Sequence, residues 1–227
     1  MIYALFDIDD TMTSMPDGTD RKTSVAMFRQ VFGVDADESI ANPIGKTEMM
    51  IIKEAMEKVG KPIDKVPDEA YKVWGENVAK ELQKNPGRVL PGVVELLEAL
   101  SKNPKVKLEL LTGNAPERAR AKLESTKLDK FFIDPSSNEL VGALGNMAYK
   151  REELIEVIKK KLQPDDKFII IDDSLIGANM VKKYQVSSIL VATGNVSEDR
   201  LKEFSTNVFP DFGDNRWQKA VSIIESI

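Results

Sequence analysis

The chain contains no cysteine and no histidine. Disulfides, thiol nucleophiles, Ser-His and Cys-His dyads, imidazole bases and zinc sites of the Cys/His kind are all excluded. Any chemistry has to run on carboxylates, hydroxyls, amines and hard metal ions. Long apolar runs are missing too, since nothing approaches the ~18 residues of a membrane-crossing helix. The opening MIYALFDIDD has no basic start and reaches acids after five apolar positions, unlike a signal peptide. The cytoplasm is the expected location, with no membrane partner. Positive charge is in deficit, with 32 Lys+Arg against 37 Asp+Glu for a net −5, so no nucleic-acid partner is expected. At 227 residues, 42% hydrophobic and 30% charged, the chain suits one large globular domain or a core carrying a smaller insertion. Composition sets no oligomeric state.

What is present is an alternation of apolar runs and helical patterns. Ile2–Phe6 is a run of strand length ending in acids, as in a strand buried on both faces of a parallel sheet. Similar runs stand at Val106–Thr112, Phe168–Ile171, Ile189–Thr193 and, more weakly, Asn207–Phe209. Helical patterns lie at Gly92–Ser101, Pro116–Leu123, Arg151–Leu162, Leu175–Tyr184 and Trp217–Ile227. The expected fold is therefore α/β, a Rossmann-like parallel sheet built of βα units. Roughly a hundred residues separate the first two strands where a βα unit needs about thirty, so something is inserted. Helical patterns near Ser24–Val31, Thr47–Val59 and Asp68–Lys84 fill the gap. The expectation is an α-helical second domain over 15–88, with 1–14 and 89–227 forming the α/β core. Met27, Met49, Met50 and Met56 are expected to pack the insertion's small interior.

Ligands of open α/β sheets collect at the carboxyl ends of the strands, and there the acids fall. The first strand runs into Asp7-Ile8-Asp9-Asp10-Thr11, the second into Thr112-Gly113-Asn114, and the third into Asp172-Asp173-Ser174. Converging carboxylates repel one another unless a cation neutralises them, and an all-oxygen donor set points to magnesium. Gly45-Lys46-Thr47 ends like a phosphate loop, but the glycine that motif requires would stand at Ile40 and no strand precedes it.

On these motifs the chain resembles the haloacid dehalogenase superfamily, in the branch near phosphoglycolate phosphatases. The D-x-D-x-T motif is Asp7-Ile8-Asp9-Asp10-Thr11, the second motif ends in Thr112, and the fourth is Ile171-Asp172-Asp173-Ser174. The third is a basic residue before a helix, assigned to Lys150 with Arg151 as the alternative. The insertion matches the family's helical cap between its first and second motifs. One departure stands out: the fourth motif usually has a second acid where this chain has Gly177, and Asp172 occupies the usual glycine. That lowers the expected metal affinity or hands the supporting role to Asp172.

The resemblance implies a phosphatase for a small phosphate ester, phosphoglycolate being the first guess. Asp7 would attack phosphorus to give an aspartyl-phosphate, and Asp9 would serve the leaving oxygen and the attacking water as acid and base. Asp7, Asp173 and the backbone carbonyl of Asp9 would hold Mg2+. Thr112 would bond a phosphoryl oxygen and Lys150 would offset charge. Gly113 and Asn114 are taken as substrate-binding, as are Lys46 and Thr47 at a turn of the cap, where Thr47 could equally be a helix N-cap. A phosphomutase of the same family and a catalytically impaired phospho-ligand module are the alternatives.

Overall fold

The apolar runs assemble into one parallel sheet. In the computed structural model, which describes residues 1–227, the strands are β1 (Ile2–Phe6), β2 (Thr13–Ser14), β3 (Arg88–Val89), β4 (Val106–Leu111), β5 (Gly142–Ala143), β6 (Lys167–Asp172), β7 (Ser187–Val191) and β8 (Val208–Phe209). Six of them form the sheet β5-β4-β1-β6-β7-β8 with every pairing parallel. Being central, β1 has Ala4, Leu5 and Phe6 fully buried, which is why its sequence is unbroken in apolar residues rather than alternating. Phe6 is level with Leu110 on one side and Ile171 on the other. The segments after β1, β4 and β6 thus leave the sheet side by side.

The helices are α1 (Thr19–Met27), α2 (Glu48–Lys58), α3 (Asp68–Lys84), α4 (Val93–Ser101), α5 (Pro116–Ser125), α6 (Leu154–Lys159), α7 (Leu175–Tyr184), α8 (Glu198–Leu201) and α9 (Arg216–Glu225). The first three lie in the helical insertion between β1 and β4. The strands β2 and β3 pair antiparallel where the chain leaves the core and re-enters it. No helix is long and apolar enough to cross a membrane.

Three sizeable apolar interiors serve the fold, one of them, with Leu5, Leu111, Leu154, Ile158 and Ile170, joining the sheet to α6 and α7. A second lies under the sheet, with Phe6, Leu96, Leu97, Phe132 and Ile171 among its members. The third is the insertion's, built on Met27, Phe28, Ile52, Met56 and Trp74, and it also takes in Ala115 and Ala121 at α5. Met49 packs on its margin, while Met50 is only half-buried. At Gly75 the insertion comes so close to α5 that an added Cβ would stand 2.4 Å from that of Glu117. The helix after β4 is therefore shared ground between sheet and insertion.

Candidate active site

The backbone after β1 is held in a tight turn that carries three acids. Asp7 N donates to Ile171 O at 3.0 Å, Thr13 N and Met12 N both donate to Ile8 O at 3.0 Å, and Asp10 N donates to Thr13 O at 2.8 Å. Asp10 sits in the left-handed region at φ 54°, a conformation Asp tolerates better than most residues. The turn sends Asp7 and Asp9 into a cavity of about 410 Å³ that Asp10, Asn114, Arg151, Asp173 and Ser174 also line.

On the floor of this cavity Asp7 and Asp173 are buried, as is Asp172 beside them, which does not line the cavity, with ligand oxygens of all three within 4.8 Å of one another. A single cation answers them. Arg151 Nη2 lies 2.8 Å from Asp7 Oδ2 and 2.7 Å from Asp172 Oδ2. Burial, reinforced by Asp172 and Asp9, lifts the Asp7 carboxyl to about 6 in spite of Arg151. Asp173 is held well above the usual carboxylate range by burial and by Asp172 and Asp7, although Thr11 Oγ1 donates to its Oδ1 at 2.8 Å. Buried carboxylates in excess of their cations are the donor chemistry a hard divalent ion satisfies. The cluster therefore fits the metal that the motifs imply.

Asp172 is committed elsewhere. Its Oδ1 accepts from Ser174 N at 2.7 Å and from Ser174 Oγ at 2.6 Å, and its Oδ2 is the Arg151 partner. Its carboxylate fills the space beside Gly177, where an added Cβ would lie 2.1 Å from Asp172 Cγ. The aspartate at 172 and the missing side chain at 177 are thus one steric fact.

The basic residue is a correction to the sequence reading. Lys150 is exposed and does not line the cavity. It sits at the N-terminus of a one-turn helix, where its backbone N donates to Glu153 Oε2 at 3.0 Å. The next residue turns inward, so the guanidinium of Arg151, the alternative, reaches Asp7. Of the two roles expected for Thr47, the structure shows the helix N-cap and not the substrate contact. Thr47 is buried, caps α2 by accepting from Met50 N at 3.2 Å, and donates to Tyr149 O at 2.5 Å, so it does not face the cavity. Lys46 does line the cavity, but its Nζ is spent on Glu54 Oε2 and Ala41 O, both at 2.6 Å.

The loop after β4 is pressed against the insertion. A Cβ on Gly113 would stand 2.2 Å from Lys46 O, and Gly113 O accepts from Glu48 N at 2.9 Å. Thr112 is fully buried and does not line the cavity. Its hydroxyl accepts from Asn114 Nδ2 at 2.9 Å, and that amide also donates to Asp9 Oδ2 at 2.9 Å. Thr112 and Asn114 thus hold Asp9 from one side.

A lysine absent from the sequence reading holds it from the other. Lys122 is fully buried, and its Nζ donates to both carboxylate oxygens of Asp9, at 2.8 and 2.9 Å, and to Asp20 Oδ2 on α1 at 3.0 Å. One turn earlier on the same helix, Arg118 Nε donates to Asn114 Oδ1 at 2.8 Å. It also lies 2.7 Å from Glu48 Oε1, yet its hydrogen points to the amide, so Glu48 receives charge without a hydrogen bond. The guanidinium stacks on Trp74 at 4.3 Å. Arg118 and Lys122 are spaced by four on one face of α5, and Asn114 stands four residues before Arg118, just ahead of the helix. That spacing was the available signal. Their partners Asp20, Glu48 and Glu38, whose Oε2 lies 3.8 Å from Arg118 Nη1, stand far away in sequence and gave none.

A sequence model described as haloacid dehalogenase-like hydrolase matches residues 3–184. Comparison with curated proteins gives no match. Among solved structures, CbbY from Rhodobacter sphaeroides in complex with phosphate is 16% identical, with 93% of this chain and 95% of that one covered at a TM-score of 0.62. A mutant of the same protein in complex with xylulose-(1,5)bisphosphate gives 16%, 93%, 95% and 0.64. A predicted phosphatase from Clostridium acetobutylicum is 20% identical over 97% of this chain and 98% of that one, at 0.59. At these identities the structures speak for the fold alone. The sequence model spans most of the chain and the site its motifs describe is assembled at the sheet edge, so this chain belongs to the haloacid dehalogenase-like hydrolases.

Proposed function

We propose that the protein is a magnesium-dependent phosphatase that hydrolyses a small phosphorylated metabolite through an aspartyl-phosphate on Asp7. The observation that carries this reading is the buried floor, where Asp7 lies beside Arg151 and Asp173 in the cavity that Asp9 also enters. Residues 15–88 act as the cap domain over the site, and 1–14 with 89–227 as the catalytic core.

An Asp7 carboxylate oxygen attacks phosphorus, forming the new P–O bond as the bond to the leaving oxygen breaks. Asp9, once it takes up a proton and turns that oxygen from Lys122 to the ester, supplies the proton the leaving oxygen needs, then takes one from the water that releases phosphate from Asp7. Asp7, Asp173 and the backbone carbonyl of Asp9 would hold Mg2+, which when bound offsets charge on the phosphoryl group. Arg151, ion-paired to Asp7, takes the charge-compensating role in place of Lys150. Thr112 acts through Asn114 on Asp9. Phosphoglycolate remains the ester that the family resemblance puts first.

The test is hydrolysis of an aryl phosphate with magnesium, followed as phosphate release. Activity should stop with chelator, and Asp7→Asn should lower turnover about 10³-fold or more with an unchanged circular dichroism spectrum. Label from a quenched reaction should be found on the peptide holding Asp7. Unchanged turnover in chelator, or undiminished activity of Asp7→Asn, would overturn the reading.

A further inference from the structure

Away from the floor the cavity has two linings. One is a wall of charged and polar groups, Asp20 and Glu38 of the insertion with Asn114 and Arg118. These are engaged by the protein itself: Lys122 Nζ donates to Asp20, Arg118 Nε donates to Asn114, and Arg118 Nη1 lies 3.8 Å from Glu38. The other lining is apolar and comes from three segments, with Pro43 and Ile44 at a turn of the insertion, Leu175 and Ile176 at the start of α7, and Val196 after β7. The segments meet. At Gly45, held at φ 69°, an added Cβ would stand 2.3 Å from Ile176 Cδ1, so the turn of the insertion is already seated on α7. Val196 packs on the cluster of Ala178, Leu190 and Leu201, and Ala178 lies one turn along α7 from Leu175. The apolar lining also adjoins the floor, because Leu175 follows Ser174, whose backbone N and hydroxyl are bonded to Asp172.

Seating the turn on α7 has left side chains of both uncovered. Ile44 is 66% exposed and Leu175 37% exposed, and both line the cavity that Asp7 enters. A lone exposed apolar side chain is ordinary, but contiguous ones inside a cavity mark a surface for a ligand. Carbon laid on this lining leaves water at a gain, whereas a hydroxyl laid there gives up its bonds to water for apolar contacts.

We infer that the leaving group of the substrate carries an apolar portion of several carbons, seated on Ile44, Leu175 and Val196. This rests on the phosphatase reading and deepens it, and it places phosphoglycolate, with a single methylene, low among the substrates. The n-alkyl phosphates from ethyl to hexyl share one reaction and differ only in apolar length. With magnesium, kcat/KM should rise about twofold for each methylene half removed from water, and so at least about tenfold from ethyl to hexyl. n-Butyl phosphate should exceed 3-hydroxypropyl phosphate, its match in size, several-fold. Ile44→Ser and Leu175→Ser should each lower the hexyl-to-ethyl ratio about threefold, a change that a general loss of structure does not produce. A series that is flat or falls with length, 3-hydroxypropyl phosphate matching n-butyl phosphate, or a ratio unmoved in both variants would overturn the inference. Calorimetric titration of the native protein with magnesium and n-alkylphosphonates, whose P–C bond has no oxygen to protonate and leave, needs no turnover. Affinity rising with length there, without hydrolysis of any ester, would sink the phosphatase reading alone. Affinity independent of length would sink this inference whatever is hydrolysed.

Discussion

The floor and the wall of the cavity are both crowded with charge, but they are built in opposite ways. At the floor, three buried carboxylates have one guanidinium among them, ion-paired to Asp7 and Asp172. The residues come from strand ends whose level is set by β1, β4 and β6. On the wall, cations of α5 are matched by acids brought from the insertion, as in Lys122 with Asp20 and Arg118 with Glu48. Uncompensated buried charge is expensive, so a fold that keeps it keeps it for something that arrives. Compensated buried charge fixes geometry. In the proposed reaction the floor is the part that would take the cation and the phosphoryl group, while the wall holds α5, Asp9 and the insertion in one arrangement.

The comparison breaks most severely at Arg151. Arg151→Met removes the only cation on the floor and should cut kcat/KM on the order of 10²- to 10³-fold. Lys150→Met, one residue away, should stay within about twofold. Equal losses in steady-state assays would return the role to Lys150.

On the wall, Lys122→Met strands Asp9 and Asp20. A loss of about 3 kcal/mol in urea unfolding is expected, the lower end for breaking a buried pair. Turnover of alkyl phosphates should fall about tenfold more than that of acyl phosphates, whose leaving group needs less proton donation. Lys122→Arg should recover part of both losses.

The smallest effect is a pH dependence. Burial raises the carboxyl of Glu48 from 4.5 to about 7 despite the nearby Arg118. The folded protein therefore binds this proton more tightly than the unfolded chain. The group's contribution is fully present below about 4.5 and is lost as pH rises through about 7, an effect of roughly 2 kcal/mol between pH 5 and 7.5. Urea midpoints at pH 5 and 7.5 should differ less in Glu48→Gln than in the native chain. An unchanged pH dependence would show that Glu48 ionises in the fold as it does in water.

The floor was legible in the sequence because it is local. Each acid follows an apolar run, and parallel pairing brings run ends together whatever lies between them. Asp68–Lys84 was read to the residue for a similar reason, being a long pattern closed by Asn85-Pro86-Gly87. The start of α1 at Thr19, earlier than the expected Ser24, was hidden because its first residues are polar and carry no apolar period. The two-residue β5 was missed because Gly142–Ala143 is too short to show a strand pattern. Lys150 and Arg151 are adjacent and alike in charge, and only the local turn decides which points inward. The wall was invisible because its pairs join positions such as 20 and 122 or 48 and 118, which no local pattern links.

The shared space at Asp172 and Gly177 constrains how this chain can change. A carboxylate can stand at one of the two positions but not at both, because the second would have to occupy the volume of the first. A descendant acquiring an acid at 177 must first give up the one at 172, and with it the anchor of Arg151. Either substitution made alone therefore leaves a crowded pair or an Arg151 without its Asp172 partner.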